Sequence, residues 1–324
     1  MGEVVSSSSA AVRRESWSST YELPVSAATS RARDARYFFF HVPKTGGRTI
    51  ETHLLECFGE ENVFQPGRRK GWLTDLVRRS KFRGTGEAAA HDRHISGQFA
   101  PFALIEGREG EFHKACFWRH PADWFVSLYN YRHYRNADRL KRQFGFGDFR
   151  KSMLRNPMTE YLLLYCGGMP GWVYFLMSDR QRFAAACALI ERFDTFADIG
   201  EVDGFLHSVG YSDGRLPQDQ NRIPLRQKVL RGLDEAARAA IAGENLIDAY
   251  LHRLALGEDR DAVCAEVDAT LSGTFDVGDI GRLLAMPYYR FKVWVVPFLP
   301  PGKEAATPDE PGFLWVPARE PTKP

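Results

Sequence analysis

The chain has 324 residues and a formal net charge of +2, which argues against a general nucleic-acid binder and leaves any preference for anions to local clusters. Hydrophobic residues make up 44% and charged residues 26%, as in ordinary globular proteins, and no apolar run is long enough to predict a membrane span. The five cysteines are scattered without a CxxC pair, which disfavours a zinc site or a disulfide framework and favours a reducing, cytoplasmic location.

The first 35 residues are polar and serine-rich, with four consecutive serines at 6–9. They lack the apolar centre of a secretory signal peptide. This composition predicts a disordered leader over residues 1–35.

Strand and helix patterns alternate after the leader. RYFFFHV at 36–42 predicts a buried strand that ends at PKTGG, and apolar residues then recur at helical spacing over 49–57. HISGQFAPFALI at 94–105 predicts a short strand, a turn and the start of a helix. HKACFWRHP at 113–121 predicts a second apolar strand, followed by a helix over 122–135 with Pro121 near its first turn.

Further helical patterns at 159–166, 180–192 and 234–256 complete an α/β domain over 36–256, with a P-loop-like parallel sheet flanked by helices. From 257 the pattern changes. Aromatic segments at 288–299 and 313–317, read as extended, predict a C-terminal extended appendage over 257–324 that packs on the core, with a hairpin as one arrangement.

The end of the first strand has the composition of a phosphate-binding loop. Two glycines let the backbone approach a ligand, and the helix that follows offers free N–H groups to an anion. The candidate phosphate-binding residues are Lys44, Thr45, Gly46, Gly47, Arg48 and Thr49. The alternative is a plain strand–turn–helix with a solvent-facing lysine. Because the lysine precedes the glycines, the loop is not a Walker A motif, which weighs against an ATPase or kinase.

The end of the second strand offers another candidate anion clamp. Arg119 stands where the strand stops, and Ser127 follows about two turns into the helix. An arginine fork and a serine hydroxyl can hold a phosphate together. The alternative is an arginine in an ion pair and a serine that packs against a neighbouring helix. Because ligands of parallel sheets bind at the carboxyl ends of the strands, both motifs are expected to face one pocket.

Together the two motifs resemble those of the PAPS-dependent sulfotransferases, where PAPS is 3′-phosphoadenosine 5′-phosphosulfate. IERFDTFADIGEVDGFLHSVGY at 190–211 is similar to the ERFD helix and strand of the carbohydrate O-sulfotransferase branch. Asn221, followed by ENLIDAYL at 244–251, is similar to the closing loop and helix of that branch. The resemblance covers roughly 36–255.

The resemblance implies transfer of a sulfuryl group from PAPS to a hydroxyl of a carbohydrate-type acceptor, with PAP released and no metal required. Lys44 would stabilise the leaving phosphate oxygen, and residues 45–49 would cradle the 5′-phosphate. Arg119 and Ser127 would hold the 3′-phosphate, and Ser127 would also restrain Lys44. The alternatives are a catalytically silent PAPS- or PAP-binding protein and a sulfotransferase that acts on an amine, a small metabolite or a lipid.

The acceptor hydroxyl must lose its proton to a base. The carbohydrate branch places a histidine after the second strand for this role, whereas this chain has Gln98 there. His94 is the first candidate for the catalytic base, because residues 94 and 98 share a face of an extended segment. His91 and Asp92 follow it. The alternatives are that His94 is a structural histidine or that Gln98 only orients the acceptor. His41, at the end of the first strand, either lines the pocket or packs within the sheet.

Two basic stretches, 68–83 and 132–142, flank the predicted site in sequence. They are either solvated helix faces or a platform for the 3′-phosphate or for an anionic acceptor such as an acidic glycan. The expected partner is a glycan or glycoconjugate rather than nucleic acid, because no recognition motif is present. The aromatic residues at 118, 124, 129 and 131 are expected in the core, with one of them as a candidate to stack on adenine.

Overall fold

The computed structural model describes residues 36–66, 93–137, 139–140, 144–209, 223, 228–271, 273, 277–298 and 313–315. The predicted leader at 1–35 and the basic stretch at 68–83 lie outside these ranges. So do His91, Asp92 and Asn221, which the sequence singles out.

A five-stranded sheet forms the centre of the fold, and all of its strand pairs are parallel. Its strands are β1 (Arg36–Phe40), β2 (Val63–Phe64), β3 (His94–Gly97), β4 (Phe112–Trp118) and β5 (Thr195–Asp198). They lie in the order β2–β3–β1–β4–β5. In the register, Phe40 is opposite Gly97 on one side and Cys116 on the other, so the ends of these strands meet at one edge. The predicted α/β class and parallel sheet are confirmed.

Helices cover both faces of this sheet. Those before residue 200 are α1 (Gly47–Phe58), α2 (Pro121–Arg135), α3 (Phe146–Lys151), α4 (Pro157–Tyr161), α5 (Gly171–Leu176) and α6 (Asp179–Ile190). Those after it are α7 (Val202–Ser208), α8 (Glu235–Glu244), α9 (Leu246–Ala255), α10 (Arg260–Thr270) and α11 (Val277–Trp294). The helix predicted over 234–256 is therefore two helices, which meet at Asn245.

The alternation of β1 divides the core into two layers. Tyr37 and Phe39 pack with residues of α1 and α7 on one face of the sheet. Phe38 and Phe40 belong to the larger cluster on the opposite face, which includes Trp124 of α2. Because successive strand side chains point to opposite faces, four adjacent aromatic residues can bury themselves in both layers at once.

The C-terminal region corrects one prediction. Residues 288–294, predicted to be extended, continue helix α11, and 296–298 form a single 3₁₀ turn. Met286 and Val293 lie seven residues apart on the buried face of α11, which packs against α3. The aromatic and β-branched residues that favour a strand by composition are thus accommodated on a helix, because tertiary packing outweighs a weak intrinsic preference.

The predicted extended segment at 313–317 is confirmed over Phe313–Trp315. This strand, β7, pairs antiparallel with β6 (Leu230–Leu233) in a separate two-stranded sheet. Within the described ranges, no helix has the length and apolar character needed to cross a membrane.

Candidate functional site

The loop between β1 and α1 has the conformation that its glycines allow. Gly46 adopts a positive φ of 81° and occupies the N-cap position of α1 without a side-chain cap hydrogen bond in the described structure. Lys44, which is not a glycine, also has a positive φ of 67°. A non-glycine residue in this region is strained, and such strain is common at ligand-binding sites. The N–H groups at the start of α1 and the positive end of its dipole therefore face the loop.

The second strand end meets this loop directly. Arg119, which follows β4, donates from Nη1 to the carbonyl oxygen of Lys44 at 3.3 Å. Trp124 of α2 donates from its indole nitrogen to the carbonyl oxygen of Pro43 at 2.6 Å. Two hydrogen bonds thus join elements about 80 residues apart, and they fix the strained backbone of the loop against α2.

The ammonium group of Lys44 lies 4.1 Å from the ring centroid of Tyr131, one turn beyond Ser127 on α2. This distance is within the range of a cation–π interaction. Burial, with a further contribution from the positive charge of Arg119, lowers the pKa of Lys44 to about 8. Lys44 is therefore protonated at neutral pH, but it can give up its proton more readily than a surface lysine.

A cavity of about 770 Å³ opens at this point, at the carboxyl ends of β1, β3 and β4. One face of α2 forms a wall of it, because residues spaced by four lie on the same side of a helix. The residues of that face are Asp123, Ser127, Tyr131 and Arg135. Arg135 donates to the hydroxyl oxygen of Tyr131 at 2.8 Å.

The cavity is strongly cationic. Six positively charged residues of the described chain line it: Lys44, Arg48, Arg119, Arg135, Lys228 and Arg231. The described lining contains two carboxylates, and both have side-chain partners. Asp123 binds Arg238 through both oxygens, and Glu51 contacts His41. Such a surface favours a ligand with more than one negative group.

The last part of the cavity wall comes from the β6 segment, about 100 residues after α2. The buried Asn130 of α2 donates to the carbonyl oxygen of Leu230 at 2.6 Å and accepts the Leu230 N–H at 2.9 Å. This reciprocal pair holds Lys228 and Arg231 beside α2. Both cations thereby reach a cavity whose other described lining comes mostly from residues 41–135.

Most of the predicted phosphate-binding residues come together. Lys44, Gly46, Gly47, Arg48, Thr49, Arg119 and Ser127 all line the one cavity. Thr45 is an exception and corrects the prediction for its side chain. It is fully buried, and its hydroxyl donates to the carbonyl oxygen of Val42 at 2.8 Å, so it stabilises the turn.

His94 is the second exception. It begins β3 and therefore lies at the opposite end of that strand from Gln98, which lines the cavity. Its ring stacks on Phe58 at a centroid distance of 3.8 Å, and its Nδ1 accepts the Tyr37 N–H at 3.0 Å. Burial, with the nearby charge of Arg36, lowers its pKa to about 4. The structure does not bring His94 to the cavity, because the strand stays extended where the prediction needed a turn.

Other predicted positions have clear places. His120 precedes Pro121 and caps α2 by accepting the Ala122 N–H. Trp118, Trp124 and Tyr129 are buried in the core, as predicted. In the basic stretch 132–142, Arg135 lines the cavity, whereas Arg132 is buried against the ring of Trp294.

Several lining residues, namely Asp123, Lys228 and Arg231, were not predicted from the sequence. The spacing of Asp123, Ser127, Tyr131 and Arg135 would have placed all four on one face of α2. Lys228 and Arg231 had no comparable signal, because their position depends on the hydrogen bonds between Asn130 and Leu230.

Comparisons of the chain with protein-family models, curated proteins and solved structures found no match. No family is therefore assigned by similarity, and the function is inferred from the cavity and the residues that line it.

Proposed function

We propose that this protein is a PAPS-dependent sulfotransferase that transfers a sulfuryl group to a hydroxyl of a carbohydrate-type acceptor and releases PAP. The observation that supports this most is the meeting of two anion-binding elements from different strand ends. Lys44 with the start of α1 forms one, and Arg119 with Ser127 forms the other. PAPS carries two anionic groups on one nucleotide, at the 5′ and 3′ positions.

The start of α1 is the candidate site for the 5′-phosphosulfate. The backbone N–H groups and the helix dipole favour an anion there. Lys44 and Arg48 add positive charge, and the hydroxyl of Thr49 adds a donor. Arg119 and Ser127 are then the residues that would bind the 3′-phosphate, the group that distinguishes PAPS from ATP.

The reaction places negative charge on the phosphate oxygen that leaves the sulfur. A positioned cation stabilises such charge most effectively in a partly desolvated site. Lys44 meets that requirement, because it is largely buried and its pKa of about 8 keeps it protonated at neutral pH. The same lowered pKa makes Lys44 a competent proton donor to the leaving oxygen.

Three cationic residues of the lining are not assigned to either phosphate of the nucleotide. Arg135, Lys228 and Arg231 line the cavity in addition to the residues assigned to the two phosphates. This surplus charge favours an acceptor that is itself anionic, such as a glycan or glycoconjugate with carboxylate groups. A small metabolite or a lipid headgroup with an anionic group would meet the same charges.

A second candidate function is a PAPS- or PAP-binding protein without turnover. The observation that favours it is Gln98, which lines the cavity at the position where the resemblance predicts a histidine. An amide side chain cannot accept a proton usefully near neutral pH.

Calorimetric titration with PAP and with 5′-AMP tests the nucleotide site. We expect PAP to bind at least about ten-fold more tightly, because charge-assisted hydrogen bonds to the 3′-phosphate contribute about 1.5–3 kcal/mol. Arg119→Ala should remove most of that difference. Arg253→Ala is the matched control, since Arg253 forms ion pairs with Glu258 and Glu266 on the exposed side of α9. Equal affinities for PAP and 5′-AMP in the wild-type protein would rule out the proposed site.

Transfer of labelled sulfate from PAPS separates the two candidate functions. The acceptor panel contains an unsulfated uronic-acid polysaccharide, a neutral oligosaccharide, a primary aliphatic alcohol and 4-nitrophenol. Turnover with any of them supports the enzyme. Tight PAP binding without PAP formation from PAPS across the panel supports the silent binding protein.

A further inference from the structure

His41 and Glu51 form a hydrogen-bonded pair in the wall of the cavity. Nδ1 of His41 lies 2.9 Å from Oε1 of Glu51, and both side chains are largely buried. Both residues also line the cavity. With the carboxylate accepting the Nδ1–H, the neutral imidazole keeps its lone pair on Nε2. This is the arrangement in which a carboxylate orients a histidine that acts as a base.

The imidazole lies directly against the start of α1. A Cβ atom added to Gly47 would lie 2.4 Å from Nε2 of His41 and 2.0 Å from its Cδ2. The ring therefore occupies the space that any side chain at position 47 would need. Nε2 is consequently next to the helix terminus where the 5′-phosphosulfate is proposed to bind.

His41 is also adjacent to the position that lacks a histidine. Its backbone N–H donates to the carbonyl oxygen of Gly97 at 3.1 Å, and Gln98 follows immediately. Neighbouring strands of a sheet lie about 4.8 Å apart. A base at the end of β1 instead of β3 therefore remains at the same edge of the sheet and beside the same cavity.

The other acidic side chain of the described lining, Asp123, is less suited to act as a base. Asp123 is bound by both outer nitrogens of Arg238. Arg238 and Arg119 lower the pKa of Asp123, against the opposing effect of burial. His41 is the one imidazole in the described lining of the cavity.

We propose that His41, oriented by Glu51, is the catalytic base that takes the proton from the acceptor hydroxyl. This inference rests on the proposed sulfuryl transfer. It assigns His41 as a catalytic residue and Glu51 as a positioning residue.

The step balances without a further reactant. Nε2 of His41 takes the hydroxyl proton as the acceptor oxygen forms a bond to sulfur. The bond between sulfur and the bridging phosphate oxygen breaks, and its electron pair stays on the 5′-phosphate of PAP beside Lys44. The imidazolium then returns its proton to solvent after the products leave.

The test compares two acceptors that differ in their need for a base. An aliphatic hydroxyl must lose its proton during transfer, whereas 4-nitrophenol ionises by itself near neutral pH. His41→Gln should lower kcat about 100-fold with the best aliphatic acceptor of the panel, because general-base catalysis contributes about 10²–10⁴-fold. Transfer to 4-nitrophenol and the affinity for PAP should both stay within about three-fold of wild type. His53→Gln is the matched control, a buried histidine of the same helix as Glu51.

Each other outcome overturns the proposal. An unchanged rate with the aliphatic acceptor would show that His41 takes no proton. An equal loss with both acceptors, or a loss of PAP affinity, would show a structural role. If wild type transfers only to 4-nitrophenol, the cavity has no effective base. If the wild-type protein transfers sulfate to no acceptor, the proposed function itself fails. This result is distinguishable from a failure of the base proposal, because it is seen without any variant.

Glu51→Gln provides a second measurement that does not require the histidine to be replaced. An amide at this position no longer fixes the tautomer of His41 by charge. We expect about a ten-fold lower kcat with the aliphatic acceptor, little change in KM and no change with 4-nitrophenol. An equal effect on both acceptors would refute the positioning role.

Discussion

Replacing Lys44 by methionine should stabilise the fold while it weakens function. Burial lowers the pKa of Lys44 from 10.5 to about 8, which corresponds to a cost of about 3 kcal/mol for keeping the ammonium charged in the folded protein. Water penetration and the contact with Tyr131 offset part of that cost. Methionine keeps an apolar stem of similar length without the charge. We therefore expect Lys44→Met to raise the free energy of unfolding by about 1–2 kcal/mol at pH 7.

The pH dependence has a definite sign. Between about pH 8 and pH 10.5 the unfolded chain holds a proton on Lys44 that the folded chain has lost, so the wild-type protein gains stability as the pH rises. The methionine variant has no such group. Its advantage over wild type should therefore shrink by about 2 kcal/mol between about pH 7 and about pH 9.5.

Urea unfolding of both proteins at the two pH values measures these differences, and calorimetry with PAP measures the loss of function. We expect PAP affinity to fall about 10–100-fold, as for a lost charge-assisted contact. Tyr131→Leu is the control, since it removes the ring and leaves the lysine. A methionine variant that is less stable than wild type at pH 7, or a stability difference that is independent of pH, would refute the assigned burial cost.

Three further predictions concern buried positions, of which the first two lie in the cavity wall. Gly47→Ala should lower stability by about 1–3 kcal/mol and weaken PAP binding, because its Cβ would overlap the ring of His41; unchanged melting and binding would contradict that contact. Asn130→Ala should cost about 2 kcal/mol in urea unfolding, because it leaves two buried backbone groups of β6 without partners. Asp248→Asn should cost about 2 kcal/mol in the same assay, because an amide nitrogen would face backbone donors at the start of α4.

The helix over residues 288–294 shows why local composition can mislead. Tyr288, Tyr289, Phe291 and Trp294 favour a strand when the segment is read alone. The segment buries Val293 against α2 and α3, and the Val293 carbonyl oxygen accepts a hydrogen bond from Arg132 at 2.9 Å. These contacts come from residues about 140–160 positions away. No local pattern contains them.

The expectation that His94 reaches the cavity was wrong for a related reason. Residues 94 and 98 share one face of an extended segment, but β3 stays extended over His94–Gly97 and so keeps these two residues at its opposite ends. His94 lies at the start of β3, opposite Val63 of β2, whereas Gln98 follows the end of β3 at the edge where the cavity opens. The sequence shows the alternation of side chains, whereas the direction and register of strand pairing determine the distance to the loop.

The sequence by itself determined the α/β class, the two strand ends and most of the candidate anion-binding residues. It could do so because those features depend on neighbouring residues: an apolar strand, a glycine turn and the first turn of a helix. Only the tertiary structure decided that Tyr131 contacts Lys44, that Lys228 and Arg231 complete the cavity, and that His41 rather than His94 stands beside Gln98. These relations depend on strand register and on hydrogen bonds between distant segments, which no local pattern specifies.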